Sequence, residues 1–129
     1  MDRPGLVNGA DVTDEVIGLA MRVHTRLGPG LLENAYELCL CHELKQNGMT
    51  FRRQVEVPIE YDDIPIDCGY RSDVIVADTV FLEIKSVERL LPLHEAQLLT
   101  YLRISRYRIG LLINFNTVSL KHGLRRCVL

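Results

Sequence analysis

Residues 73–86 read 73-DVIVADTVFLEIKS-86. Two β-rich runs flank a short polar turn. The second run carries Glu83 and Lys85 among Phe81, Leu82, Ile84 and Val87. Residues two apart on a pleated strand point to the same face, so this acid and this base share one. Charged side chains on an otherwise apolar strand need partners, because burying an unpaired charge is costly. Asp73 opens the preceding strand, and the length of the turn decides whether it joins them. A two-residue turn at Asp78-Thr79 pairs Val74 with Glu83 and sends Asp73 to the opposite face. A three-residue turn, Ala77 to Thr79, sets Asp73 opposite Glu83. The site therefore requires an odd-length loop or a β-bulge.

The rest of the chain gives this hairpin its setting. With 129 residues there is room for one domain and one core. Apolar residues make up 47% and charged residues 25%, a globular composition rather than a disordered one. No apolar run reaches membrane-spanning length, which argues against a membrane partner. The start, MDRPGLVNGADVTDE, lacks a basic end followed by an apolar block, so no secretion signal is read and the cytoplasm is the default location. Residues 1–10 read as a flexible end and residues 11–129 as a single domain.

Asp11 or Thr13 can cap a first helix, along which Val16, Ala20, Val23 and Leu27 recur at helical spacing. Gly28-Pro29-Gly30 stops it. A second helix runs from about Leu31 to Gln46, with a stripe of Leu31, Ala35, Leu38 and His42, and Asn47-Gly48 ends it. The period then changes. Phe51 to Tyr61 alternates at Val55, Val57 and Ile59, with Pro58 marking an edge or a bulge. Ile64 to Ala77, interrupted near Gly69, and Val80 to Val87 are the next strands. Leu93 to Ser105 is a helix behind Pro92, Tyr107 to Phe115 a central apolar strand, and Arg125 to Leu129 a short last one. The order α-α-β-β-β-α-β-β predicts an α/β fold, a mixed sheet flanked by helices.

Cys39, Cys41, Cys68 and Cys127 contain no C-x-x-C pair and read as reduced, mostly buried thiols. The net charge of −2 is unevenly spread. Gln54 to Asp78 holds seven acids and one base, and Thr79 to Leu129 eight bases and three acids. A metal site beside a phosphate-binding surface has this pattern, and so does a solvated mixed surface.

Asp73 followed by Glu83-Ile84-Lys85 resembles the D-x(n)-E-x-K signature of the PD-(D/E)xK nuclease superfamily, the restriction-endonuclease-like fold. Ser72 stands where that signature has proline. Gly30-Leu31-Leu32-Glu33-Asn34-Ala35-Tyr36 matches the G-x-x-E-x-x-Y motif of the GxxExxY protein family, a branch of that superfamily. Gln97 to Tyr101 resembles the Q-x-x-x-Y element that follows E-x-K in related exonuclease-type domains. The resemblance runs from about Val12 to Val128. It implies a Mg²⁺- or Mn²⁺-dependent hydrolase of phosphodiester bonds in DNA or RNA. Asp73, Glu83, the Ile84 carbonyl and Glu33 would serve the metal, Lys85 the water and the developing charge, and Gln97 and Tyr101 the phosphate.

From the residues alone, Glu33 is also an acid stabilised at a helix N-terminus, and Gln97, Tyr101 and His94 a polar helix face. Arg52, Arg53, Arg71, Arg89, Arg103, Arg106, Arg108, Lys121, Arg125 and Arg126 are candidates for a nucleic-acid backbone, and the resemblance implies DNA before RNA. No recognition helix or aromatic stacking cluster is evident, so little sequence specificity is expected. A chain so close to a minimal core would draw on a homodimer or a partner subunit to form a groove. The alternatives are a nuclease-like nucleic-acid-binding or assembly module with weak or no catalysis, and a structural protein in which Glu83 and Lys85 are a buried pair.

Overall fold

The computed structural model describes residues 9–67 and 70–129, with side chains from Val12 onward. Two helices come first, α1 (Gly9–Leu27) and α2 (Glu33–Gln46). Strands β1 (Phe51–Glu56), β2 (Ile59–Tyr61), β3 (Ile64–Ile66), β4 (Arg71–Val76) and β5 (Val80–Lys85) follow. Helix α3 (Pro92–Ser105) leads to β6 (Ile109–Asn114), a 3₁₀ turn (Leu120–Gly123) and β7 (Leu124–Val128). Five strands form one sheet in the order β1-β4-β5-β6-β7, with β5 and β6 parallel and the other neighbours antiparallel. This is the expected mixed sheet with helices on both faces, and it is compatible with a restriction-endonuclease-like fold.

Side-chain alternation builds two cores. Val74, Val76, Val80, Leu82, Ile84, Leu111 and Ile113 face α1 and α2, where Val16, Ala20, Val23, Tyr36, Leu40 and Leu44 close the layer. Ile75, Phe81 and Leu112 face the other way, against Leu98 and Leu102 of α3. Strand β6 has helices on both faces, which is why its sequence is continuously apolar rather than alternating. The same sandwiching explains the apolar run of β5.

Several local expectations are corrected. Helix α1 begins at Gly9, so Thr13 lies buried inside it rather than capping it; the Asp11 side chain falls outside the described residues. Val16, Ala20 and Val23 are buried as expected, but Leu27 is exposed. In α2 the buried stripe is Tyr36, Leu40 and Leu44 with Glu37, Cys41 and Glu43; Leu31, Leu38 and His42 are exposed. Two carboxylates in the stripe hid it from an apolar count. Arg53 pairs with Glu37, and Arg22 and Arg26 pair with Glu43. The strand expected over Phe51–Tyr61 breaks around Pro58, and its end forms a separate hairpin with β3. Cys39, Cys41 and Cys127 are free thiols; Cys68 and the expected break at Gly69 lie outside the described residues. No helix among the described residues is long and apolar enough to cross a membrane.

Candidate functional site

The site starts from the register of β4 and β5. Val74 faces Leu82, Ile75 faces Phe81 and Val76 faces Val80, which leaves the three residues Ala77 to Thr79 as the loop. One step further, this register brings Asp73 opposite Glu83. The first two loop residues take the left-handed conformation, Ala77 at φ 52° and Asp78 at φ 49°. Local bonds hold that conformation: the Thr79 N–H donates to the Val76 carbonyl at 2.9 Å and the Thr79 hydroxyl to the Ala77 carbonyl at 2.8 Å. The predicted odd-length loop is present.

Asp73 therefore reaches the neighbouring strand. Its Oδ2 accepts the backbone N–H of Ile84 at 2.7 Å, where the regular β4–β5 ladder has ended. Glu83 is only 7% exposed. Its Oε1 accepts the hydroxyl of Tyr70 at 2.6 Å. Lys85 lies on the same face two residues on, half-buried and without an ion pair among the described residues.

The electrostatics follow from this packing. Burial pushes the Glu83 carboxyl up to about 7, and the nearby charge of Asp73 pushes the same way; Tyr70 and Lys85 offset part of the rise. Burial also raises Asp73, against the Ile84 N–H that favours its ionised form, with Glu37 and Glu33 adding repulsion. Two neighbouring carboxylates thus ionise reluctantly, with Lys85, the Tyr70 hydroxyl and the Ile84 N–H compensating only in part. A divalent cation would remove that conflict. Mg²⁺ is commonly held by one or two carboxylates while keeping several waters, and Asp73 and Glu83 supply that number. Among the described residues no three His, Cys, Asp or Glu side chains converge as a metal cluster.

The remaining expected residues are placed unequally. Glu33 opens α2 exposed, and its Oε2 accepts the Ser86 N–H at 3.3 Å. It therefore ties the end of β5 to α2, near enough to raise Asp73 but outside the acid pair. Tyr36 is a core residue: it stacks on Phe115 at 4.5 Å, donates to the Gly28 carbonyl at 2.6 Å and accepts the Leu31 N–H at 3.1 Å. Tyr101 stacks on Tyr70 with ring centroids 3.7 Å apart. Helix α3 connects parallel strands and so runs against them, and one helical turn is 5.4 Å. Gln97, one turn before Tyr101, is thereby carried toward the level of Glu83 and Lys85. It is half-buried and has no hydrogen bond among the described residues. His94 has a local job: its Nδ1 accepts the Leu91 N–H at 2.9 Å at the start of α3.

Two neighbours of the site were not anticipated. Glu37, 4% exposed, accepts Arg53 at 2.7 Å and the Gln54 amide at 2.9 Å. Gln54 sits in β1 at φ 50°, bracketed by the pairs Arg53–Val74 and Val55–Ser72, and so stands across from Asp73. Tyr70 is the second. Neither belongs to a short sequence motif, and only long-range packing reveals them.

A profile of the PD-(D/E)XK nuclease superfamily matches residues 10–127, a span that includes Glu33, Asp73, the Glu83-Ile84-Lys85 segment, Gln97 and Tyr101. Comparison with curated proteins and with solved structures gives no significant match. The match covers nearly the whole chain, and the fold agrees with it. The chain belongs to the PD-(D/E)XK nuclease superfamily.

Proposed function

We propose that the protein is a Mg²⁺- or Mn²⁺-dependent nuclease of the GxxExxY branch, hydrolysing phosphodiester bonds in DNA or RNA. One observation carries the reading: the three-residue loop sets Asp73 against the Ile84 N–H and across from Glu83, with Lys85 on the same face. Asp73 and Glu83 would hold the cation, with the Ile84 carbonyl as a further ligand and Glu33 assisting from the end of α2. Bound there, the cation supplies a Lewis acid for the phosphate and a lower pKa for the attacking water. Lys85 orients that water and balances the negative charge that builds as water attacks phosphorus and the P–O bond to the leaving alcohol breaks. Gln97 donates to a phosphate oxygen from the N-terminal half of α3. Tyr101 forms the aromatic wall behind the site.

The test is a calorimetric titration with Mg²⁺ and Mn²⁺ of the wild type and of Asp73→Ala and Glu83→Ala, followed by cleavage assays on single- and double-stranded DNA and RNA. Binding and cleavage in the wild type, both lost in the variants, are expected. Full metal-dependent cleavage by Asp73→Ala would refute the assignment. A nuclease-like nucleic-acid-binding or assembly module is the competing reading, motivated by a chain close to a minimal core. It predicts oligonucleotide binding with no cleavage and no response to either cation.

A further inference from the structure

Tyr70 belongs to no part of the acid-acid-lysine pattern, yet it makes the one side-chain hydrogen bond to Glu83 among the described residues. Three contacts on three different elements hold it. Its carbonyl accepts the Val57 N–H at 3.0 Å, just past the end of β1. Its ring stacks on Tyr101 of α3 at 3.7 Å and 21°. Its hydroxyl reaches Glu83 of β5 at 2.6 Å. Tyr101 is backed in turn by Phe81, 6.4 Å away and tilted by 26°. The phenol is therefore fixed in place before its hydrogen bond is counted.

We propose that Tyr70 is a positioning residue that holds the Glu83 carboxylate in the orientation needed to receive a divalent cation, with Tyr101 setting the plane of the Tyr70 ring. The inference rests on the nuclease reading of the acid pair. Packing alone would be served by phenylalanine, which stacks equally well and brings no hydroxyl to satisfy. The hydroxyl donates its single hydrogen to Oε1. A carboxylate with one oxygen so occupied loses rotational freedom, and its other oxygen remains available. Carboxylate ligands of bound cations are commonly oriented by such outer hydrogen bonds, and loss of one typically weakens metal affinity 10- to 100-fold.

The role of Tyr101 changes accordingly. Its ring sets the plane of the Tyr70 phenol. Tyr70→Phe keeps the stack and removes only the donor.

The experiment is Mn²⁺ titration by calorimetry on the intact chain as wild type, Tyr70→Phe and Asp73→Ala, each first shown by circular dichroism to melt cooperatively. A spectroscopic readout runs beside it. The chain has no tryptophan, so luminescence of bound Tb³⁺ is sensitised by tyrosine alone, and the titration midpoint, not the amplitude, is compared. We expect affinity to fall at least about 10-fold in Tyr70→Phe and to vanish in Asp73→Ala. Should Tyr70→Phe bind Mn²⁺ as tightly as wild type while Asp73→Ala does not bind, Tyr70 is only a packing residue and the acid-pair reading stands. Should the wild type bind neither ion, or Asp73→Ala bind like wild type, the acid-pair reading falls and this inference with it.

Discussion

A buried carboxylate beside a second carboxylate keeps its proton longer than a free one, and Glu83 does so up to about pH 7. The sign of the consequence is fixed. The folded state binds this proton more tightly than the unfolded chain, whose glutamates titrate near 4.3. The contribution of Glu83 to the stability of the metal-free protein is therefore greatest below that value and is lost as pH rises toward about 7, by at most about 4 kcal/mol. Asp73, also raised, acts in the same direction. Thermal unfolding in EDTA between pH 5 and 8 should show the decline, and Glu83→Gln should flatten most of it. A Tm that rises across this range in EDTA would contradict the buried acid pair. Glu37 offers a second measurement. Arg53→Ala leaves an almost fully buried carboxylate without its cation, and such losses cost about 3 kcal/mol. Urea unfolding reads that number directly. Asp73, Glu83 and Lys85 were legible in the sequence because strand alternation and one loop length suffice to bring them together. Tyr70 and Glu37 were not, because the partners that give them meaning lie 13 to 17 residues away in sequence, on other elements.

Helix α3 docks on β6 at one narrow point. A Cβ on Gly110 would lie 2.9 Å from Leu98 Cδ1 and 3.1 Å from Leu102 Cδ1, inside ordinary contact distance. Gly110→Ala should therefore push α3 outward and destabilise the fold by about 1–3 kcal/mol, as overpacked cores do. Gly18→Ala, on an open helical surface with nothing within 4 Å, should instead be neutral or slightly stabilising. Chemical denaturation of the two variants side by side separates the effects. Helix α1, read from its apolar spacing, α3, read behind Pro92, and β5 and β6, read as strand-length apolar runs, lie close to their expected spans. The failures share a cause. The α2 stripe was misread because tertiary ion pairs bury two of its glutamates. The separation of the β2–β3 hairpin from the main sheet was missed because two strands of three residues are too short for alternation to set them apart from their neighbours.

Across the whole molecule, bases and acids sort by whether they already have partners. Arg52, Arg53, Arg71 and Arg125 pair with Asp78, Glu37, Glu56 and Glu95, and Arg108 donates to the Leu129 carbonyl. Arg89, Arg103, Arg106, Lys121 and Arg126 form no ion pair among the described residues. Arg89 follows β5 in the segment leading to α3, nearest in the chain to Lys85. On the nuclease reading, Arg89→Ala should weaken oligonucleotide binding and lower the slope of log affinity against log salt by about 1, with no change in Mn²⁺ affinity. Fluorescence anisotropy at several salt concentrations reports both, and an unchanged slope would remove Arg89 from the contact surface. The Ala77–Thr79 loop gives the molecule an unusual evolutionary property. Surface turns ordinarily absorb gained or lost codons at little cost, because nothing downstream depends on their length. Here a single-codon gain or loss would turn Asp73 away from Glu83 while leaving a plausible hairpin behind. Length polymorphism among natural variants should thus be tolerated at the Asp62-Asp63 tip and purged at Ala77–Thr79, so that the length of a loop outside the acid pair is inherited as strictly as the acids.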